Sequence, residues 1–157
     1  MATWGELTIS DPAMADAGRG LLYQFGGVGL AFLGTVRKDG VARLHPVCPL
    51  LTDDRMYVFV VPSSKRNDLL RDARCALHSF PCDTNEDAFG ITGRATLVED
   101  DATRQKLADQ FAAERAGFGG PKPADEDLLF EVSIDSCFVT RTTGHGDPHP
   151  QHQRWRA

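Results

Sequence analysis

VGLAFLGTVRKDGVARLHPVCPLLTDDRMYVFVV, residues 28–61, decides the fold of this chain. Val28 to Val36 is an apolar run with β-branched residues at both ends, and Arg37-Lys38-Asp39-Gly40 follows it. Asp-Gly is a hairpin turn signal, because both residues tolerate positive φ. Val41 to Leu51 reads as the returning strand, Thr52-Asp53-Asp54-Arg55 as a second turn, and Met56 to Val61 as a third strand rich in Val, Tyr and Phe. Connections this short join only antiparallel strands. The stretch is a β-meander.

Upstream, Asp11 is placed to cap a helix and Pro12 suits its first position. Met14, Ala17, Leu21, Leu22 and Phe25 recur at helical spacing until Gly26-Gly27 stops the pattern. Downstream, Pro62-Ser63-Ser64 breaks the β pattern, and Lys65 to Asp72 reads as a short helix burying Leu69 and Leu70. Cys75 to Phe80 and Ala88 to Glu99 read as strands. Asp100 or Asp101 then caps a helix with Leu107, Ala108 and Phe111 on one face. Leu128 to Ile134 alternates as a strand, Asp135-Ser136 reads as a turn, and Cys137 to Thr142 as the last strand. Residues 144–157 read as a polar tail rich in His and Pro. The expected fold is mainly β (α+β): one domain over residues 1–157, an antiparallel barrel, closed or partly open, with about three short helices.

At 157 residues, 41% hydrophobic and 25% charged, the composition is that of an ordinary globular domain. The formal net charge is -5, without the basic footprint of a nucleic-acid binder. Cys48, Cys75, Cys82 and Cys137 form no C-x-x-C pair and fit no zinc spacing, so they read as free thiols of a reducing compartment. Met1 to Ser10 has no basic stretch followed by an apolar run, and nothing approaches the apolar length of a membrane span. The expectation is a soluble cytoplasmic protein.

The chemistry concentrates at Pro62-Ser63-Ser64-Lys65-Arg66, where a strand hands over to a helix. Exposed N–H groups and the positive end of the dipole make a helix N-terminus a phosphate seat. A serine there is also an ordinary cap. Lys and Arg in a first turn oppose the dipole, at a cost of a few tenths to about 1 kcal/mol each, and a bound anion reverses that cost. On the second strand, Val41, Arg43, His45 and Val47 share one face, and Ala42, Leu44, Pro46 and Cys48 share the other. The small, apolar second set is expected inside the barrel and the first set at solvent or an interface. Pro46 and Pro49 each remove a ladder donor, so an edge, bulge or kink is expected here.

Phe32 to Gly40 with Arg43-Leu44-His45-Pro46-Val47 resembles the opening hairpin of pyridoxamine 5'-phosphate oxidase-like proteins. Ser63-Ser64-Lys65, with Leu69, Arg71-Asp72-Ala73-Arg74 and Ala76-Leu77 after it, resembles that family's phosphate loop, helix and next strand. Phe89 to Ala95 is similar to its long strand. The resemblance implies a split β-barrel homodimer with flavin mononucleotide (FMN) in a groove between subunits. It implies that Arg43 and Lys65 hold the phosphate, that Ser63 and Ser64 add donors, and that Leu44, His45, Pro46 and Val47 line the isoalloxazine. His152-Gln153-Arg154 resembles a His-x-Arg element closing the site, with Arg154 on the flavin and the tail over the groove.

The departures bear on the substrate. Cys48 stands where the family's oxidase has a Lys that contacts cofactor and substrate, and Ala88 where it has a Gln on the cofactor. Its Tyr, Arg and Ser for the substrate phosphate fall near Gln110 to Phe118, where no matching set stands. The implied activity is a flavin-dependent oxidoreduction of a small molecule other than pyridoxamine phosphate. Alternatives are a deazaflavin-dependent reductase and a non-catalytic flavin-binding protein. No catalytic acid or base is evident, His45 being the best titratable candidate near the ring. His145, Asp147, His149 and His152 are interrupted by Pro and Gly, so a tail over the groove is preferred to a metal site.

Overall fold

A computed structural model describes every residue, Met1–Ala157. Its elements are α1 (Trp4–Ser10), α2 (Pro12–Leu22), β1 (Ala31–Val36), β2 (Ala42–Val47), β3 (Pro49–Leu51), β4 (Met56–Val60), α3 (Ser64–Arg71), β5 (Arg74–Ser79), β6 (Ala88–Leu97), α4 (Asp101–Glu114), β7 (Leu128–Arg141) and β8 (Gln151–Arg156), with one 3-10 turn at Ala116–Phe118. Four helices therefore stand where about three were expected. The additional one, α1, starts at a capping box: Thr3 accepts from the Glu6 amide, and the Glu6 carboxylate accepts from that of Thr3. Asp11 caps α2 with Pro12 at its first turn, as expected, and Asp100 caps α4.

All strand pairs are antiparallel, in the order β2-β1-β5-β6-β7-β4-β3, with β8 on β7. The two ends of this order, β2 and β3, are consecutive in the chain with only Cys48 between them. The sheet must therefore curl until its edges meet, which makes it a barrel. The apolar sides of α1 and α2 (Trp4, Leu7, Met14, Leu22) pack into its concave side with Leu33, Val58, Phe89, Phe130 and Ile134. A smaller cluster of Leu50, Tyr57, Leu107 and Leu129 lies under α4 on the opposite face of β3, β4 and β7.

Four expectations are corrected. Asp135-Ser136 is no turn: β7 runs unbroken, and the register jumps from Thr92↔Ser136 to Gly93↔Ile134, so Asp135 is the extra residue of a β-bulge. The final residues are not a loose tail, since Gln151–Arg156 pairs with the second half of β7 while β4 pairs with the first half. Leu70 is 53% exposed; the second buried side chain of α3, next to Leu69, is Asp68. The faces of β2 are also the reverse of the expectation. Arg43, His45 and Val47 align with buried Thr35, Leu33 and Ala31, whereas Leu44 and Pro46 point outward with Gly34 and Phe32. Apolar character misled here because this stretch of outer face has no helix over it, leaving Leu44 65% exposed.

Candidate functional site

The N-terminus of α3 carries no side-chain cap. Ser63 holds the extended N-cap conformation, but its hydroxyl donates back to the Val61 carbonyl at 2.8 Å. The amides of the first turn are thus left for another acceptor, and no acidic residue stands in that turn. Lys65 and Arg66 stand there instead, both half-buried. Arg66 is engaged through Nη1 on the Glu126 carbonyl at 2.9 Å. Uncapped amides, the dipole and a lysine together compose a seat for an anion.

Arg43 reaches the same helix from β2. Its Nε donates to Asp68 Oδ2 at 2.7 Å, one helical turn beyond Lys65. Thr35 donates to the same oxygen at 3.0 Å, and Arg71 to Oδ1 at 3.2 Å. Burial would raise the Asp68 pKa, but the bonds from Arg43, Thr35 and Arg71 outweigh it and hold the carboxyl below its ordinary value. Because Asp68 takes Nε, the terminal nitrogens of Arg43 are left for a ligand. They border an open cleft of about 460 Å³ lined by Arg37, Lys38, Asp39, Arg43 and Asp68.

Ser63, Ser64 and Lys65 stand at the N-terminal end of α3, and Arg43 meets the helix further along, at Asp68. Sequence reasoning missed Asp68, Thr35 and Arg71, which set the aim of Arg43. The one available signal was an aspartate beside Leu69 on the apolar side of a short helix.

The residues of β2 divide between two faces, so His45 and Val47 cannot meet a ligand on the same side as Leu44 and Pro46. On the outer face, paired residues form rows across the sheet. One row runs Pro46, Phe32, His78, Gly90, Phe138, Arg154, and the next Leu44, Gly34, Ala76, Thr92, Ser136, Arg156. Phe32 stacks on Phe80 with centroids 4.5 Å apart. Arg154 belongs to the outer-face row, five strands from β2 counted through β1, β5, β6 and β7, whereas Arg43 aligns with buried Thr35 on the inner face.

The family model for pyridoxamine 5'-phosphate oxidase matches residues 24–139. The chain belongs to the pyridoxamine 5'-phosphate oxidase family. Solved structures share the fold. A Clostridium acetobutylicum protein related to general stress protein 26, of the pyridoxinephosphate oxidase family, is 11% identical with TM-score 0.60, over 97% of this chain and 95% of that one. General stress protein 26 of Bacillus anthracis is 19% identical with TM-score 0.61, over 89% and 97%. A heme binding protein of Mycobacterium smegmatis is 13% identical with TM-score 0.64, over 89% and 57%. No curated protein matches the sequence.

The remaining features singled out in the sequence are scattered in this family fold. Cys48 is half-exposed at the β2–β3 junction, and all four cysteines are free thiols. Burial pushes the Cys75 and Cys137 thiols up to about 12. His145 faces the Asp83 carbonyl and His152 the Thr140 hydroxyl, and no three His, Cys, Asp or Glu side chains converge on a point.

Proposed function

We propose that this protein is an FMN-dependent oxidoreductase of the pyridoxamine 5'-phosphate oxidase family, working in the cytoplasm as a homodimer on a small molecule other than pyridoxamine phosphate. The observation that carries this reading is the uncapped N-terminus of α3, with Lys65 in its first turn and Arg43 aimed beside it by Asp68. A phosphate matches that seat in charge and in donor geometry. The residues present fit FMN, because the uncapped amides and Lys65 suit its phosphate and an open cleft borders Arg43 beside them. Bound flavin would supply hydride or single-electron transfer, and the chain supplies binding and orientation. Lys65, Arg43 and the amides after Ser63 hold the phosphate, while His45 and Val47, on the same face of β2 as Arg43, border the ring. Arg154 stands on the outer face of its own sheet and Arg43 on the inner one, so the Arg154 that closes the site comes from a second copy. No helix of the chain is long and apolar enough to cross a membrane.

The test compares FMN with riboflavin, which lacks the phosphate, by quenching of flavin fluorescence. FMN binding at least about tenfold tighter is expected from one charge-assisted contact. Equal affinities overturn the phosphate seat. The absorption spectrum of purified protein separates flavin from deazaflavin and from heme, and reduction of the bound flavin by NADH or NADPH separates an enzyme from a carrier.

A further inference from the structure

We infer that a second anion site, distinct from the seat at α3, lies on the outer face of the sheet beside β8. A recess of about 150 Å³ there is lined by Thr92, Ser136, Phe138, Arg154, Trp155 and Arg156, with Gly90 and Cys137 at its floor. The register dictates its composition. Arg154 and Arg156 are two apart on a strand and so share a face, above Phe138 and Ser136 of β7; beyond these on β6 lie Gly90 and Thr92.

Its polar side chains are all donors. The Thr92 and Ser136 hydroxyls stand 2.7 Å apart, so one donates to the other and a single O–H remains free. Both guanidiniums are free, since the ion pairs of the protein lie elsewhere and no carboxylate lines the recess. The Trp155 side chain points to the inner face, where its indole N–H donates to Ser10 Oγ at 3.1 Å and its ring packs against the core, so its backbone alone borders the recess. Phe138 lies directly over Gly90, where a Cβ would come within 2.2 Å of its ring. Two guanidiniums and a hydroxyl beside the Phe138 ring recognise an oxyanion on a small molecule, a carboxylate or a phosphate. The site stands whether or not flavin binds. If both hold, Arg154 borders the flavin and the anion alike, and the substrate is itself an anion.

Binding is read by isothermal titration calorimetry. Flavin-free protein is titrated with inorganic phosphate, and separately with acetate, at constant ionic strength set by chloride. A saturable heat of binding is expected with at least one of them. Its midpoint should rise about tenfold in Arg156→Gln. Thr92→Val, an exposed position, should shift the midpoint the same way by a smaller factor. A response equal to that of chloride, no response, or coincident curves for Arg156→Gln and the parent overturns the site. If Arg156→Gln instead lowers the mass seen by light scattering, the guanidinium serves a carboxylate of a second copy and the small-molecule reading falls. None of these readouts involves flavin, so the failure of one reading leaves the other intact.

Discussion

Lys65 and Asp68 sit one turn apart on α3 and have opposite duties. Lys65 stands in a first turn where its charge opposes the dipole, so Lys65→Ala should leave the melting temperature of the flavin-free protein unchanged or slightly raised. The same variant should weaken FMN by about 10- to 100-fold, the loss of one charge-assisted bond of about 1.5–3 kcal/mol, and leave riboflavin untouched. A lowered melting temperature with unchanged FMN affinity would make Lys65 structural. Asp68 is buried and takes bonds from Arg43, Thr35 and Arg71, so Asp68→Asn should cost about 1–3 kcal/mol at neutral pH, read by urea denaturation. The folded-state pKa of Asp68 lies below its unfolded value. Its contribution is therefore complete above about pH 4 and is lost as pH falls through the folded pKa. The gap between the parent and Asp68→Asn should close on acidification. Both proteins will still lose stability there, because Asp87, Asp100 and Asp109 are held low in the same way.

The elements show where local signals and packing part company. In α3, Leu69 is 3% exposed and Leu70 is 53% exposed, although both read as apolar helix positions. Leu69→Ala should cost about 2–5 kcal/mol and Leu70→Ser less than about 0.5, a contrast that chemical denaturation measures directly. Around the bulge, a Cβ on Gly93 would sit 1.8 Å from the Ser133 carbonyl oxygen. That atom is backbone in the middle of a strand paired on both edges and cannot give way cheaply. Gly93→Ala should therefore destabilise by at least about 1–3 kcal/mol, the usual cost of overpacking. A melting temperature equal to the parent's would mean that the bulge at Asp135 absorbs the methyl group.

Across the whole molecule, the proposed seat at α3, met by Arg43 from the inner face, and Arg154 on the outer face lie on opposite sides of one curled sheet. Light scattering of the flavin-loaded protein should give the mass of a dimer, and a monomer that keeps its flavin would refute the shared site. Complementation is sharper. Lys65→Ala and Arg154→Gln should each weaken FMN, yet an equal mixture after exchange of subunits should restore about a quarter of the sites, since each mixed dimer has one intact site. No recovery would place both residues in the same copy's site or outside any site. Ending the chain at Gly144 is a blunter variant, because it removes β8 with its pairing to β7 and the Trp155 packing against the core. It should lose both melting temperature and flavin, whereas Arg154→Gln should lose flavin alone.

Much of this was legible along the chain, because the decisive signals were local. Asp39-Gly40 set the first hairpin, Asp11-Pro12 and Asp100 set helix starts, and alternation marked the first half of β7. The capping box of Thr3 and Glu6 was equally local, though α1 had not been expected. The cluster of Ser63, Ser64 and Lys65 pointed to the proposed phosphate seat for the same reason: dipole and charge act within one turn. What the chain could not disclose was which neighbour lies across a strand. Asp135-Ser136 has the composition of a turn, and only pairing with Thr92 and Gly93 made it a bulge. Arg43 and Leu44 exchanged their expected faces because no helix covers that part of the outer sheet, and because a buried Asp68, 25 residues on, was waiting for the guanidinium. The opposite facing of Arg43 and Arg154 is likewise a property of strand pairing, which no short stretch encodes. Local conformational preference is written in adjacent residues; burial, facing and distance depend on contacts between residues far apart, and these exist only once the sheet has closed.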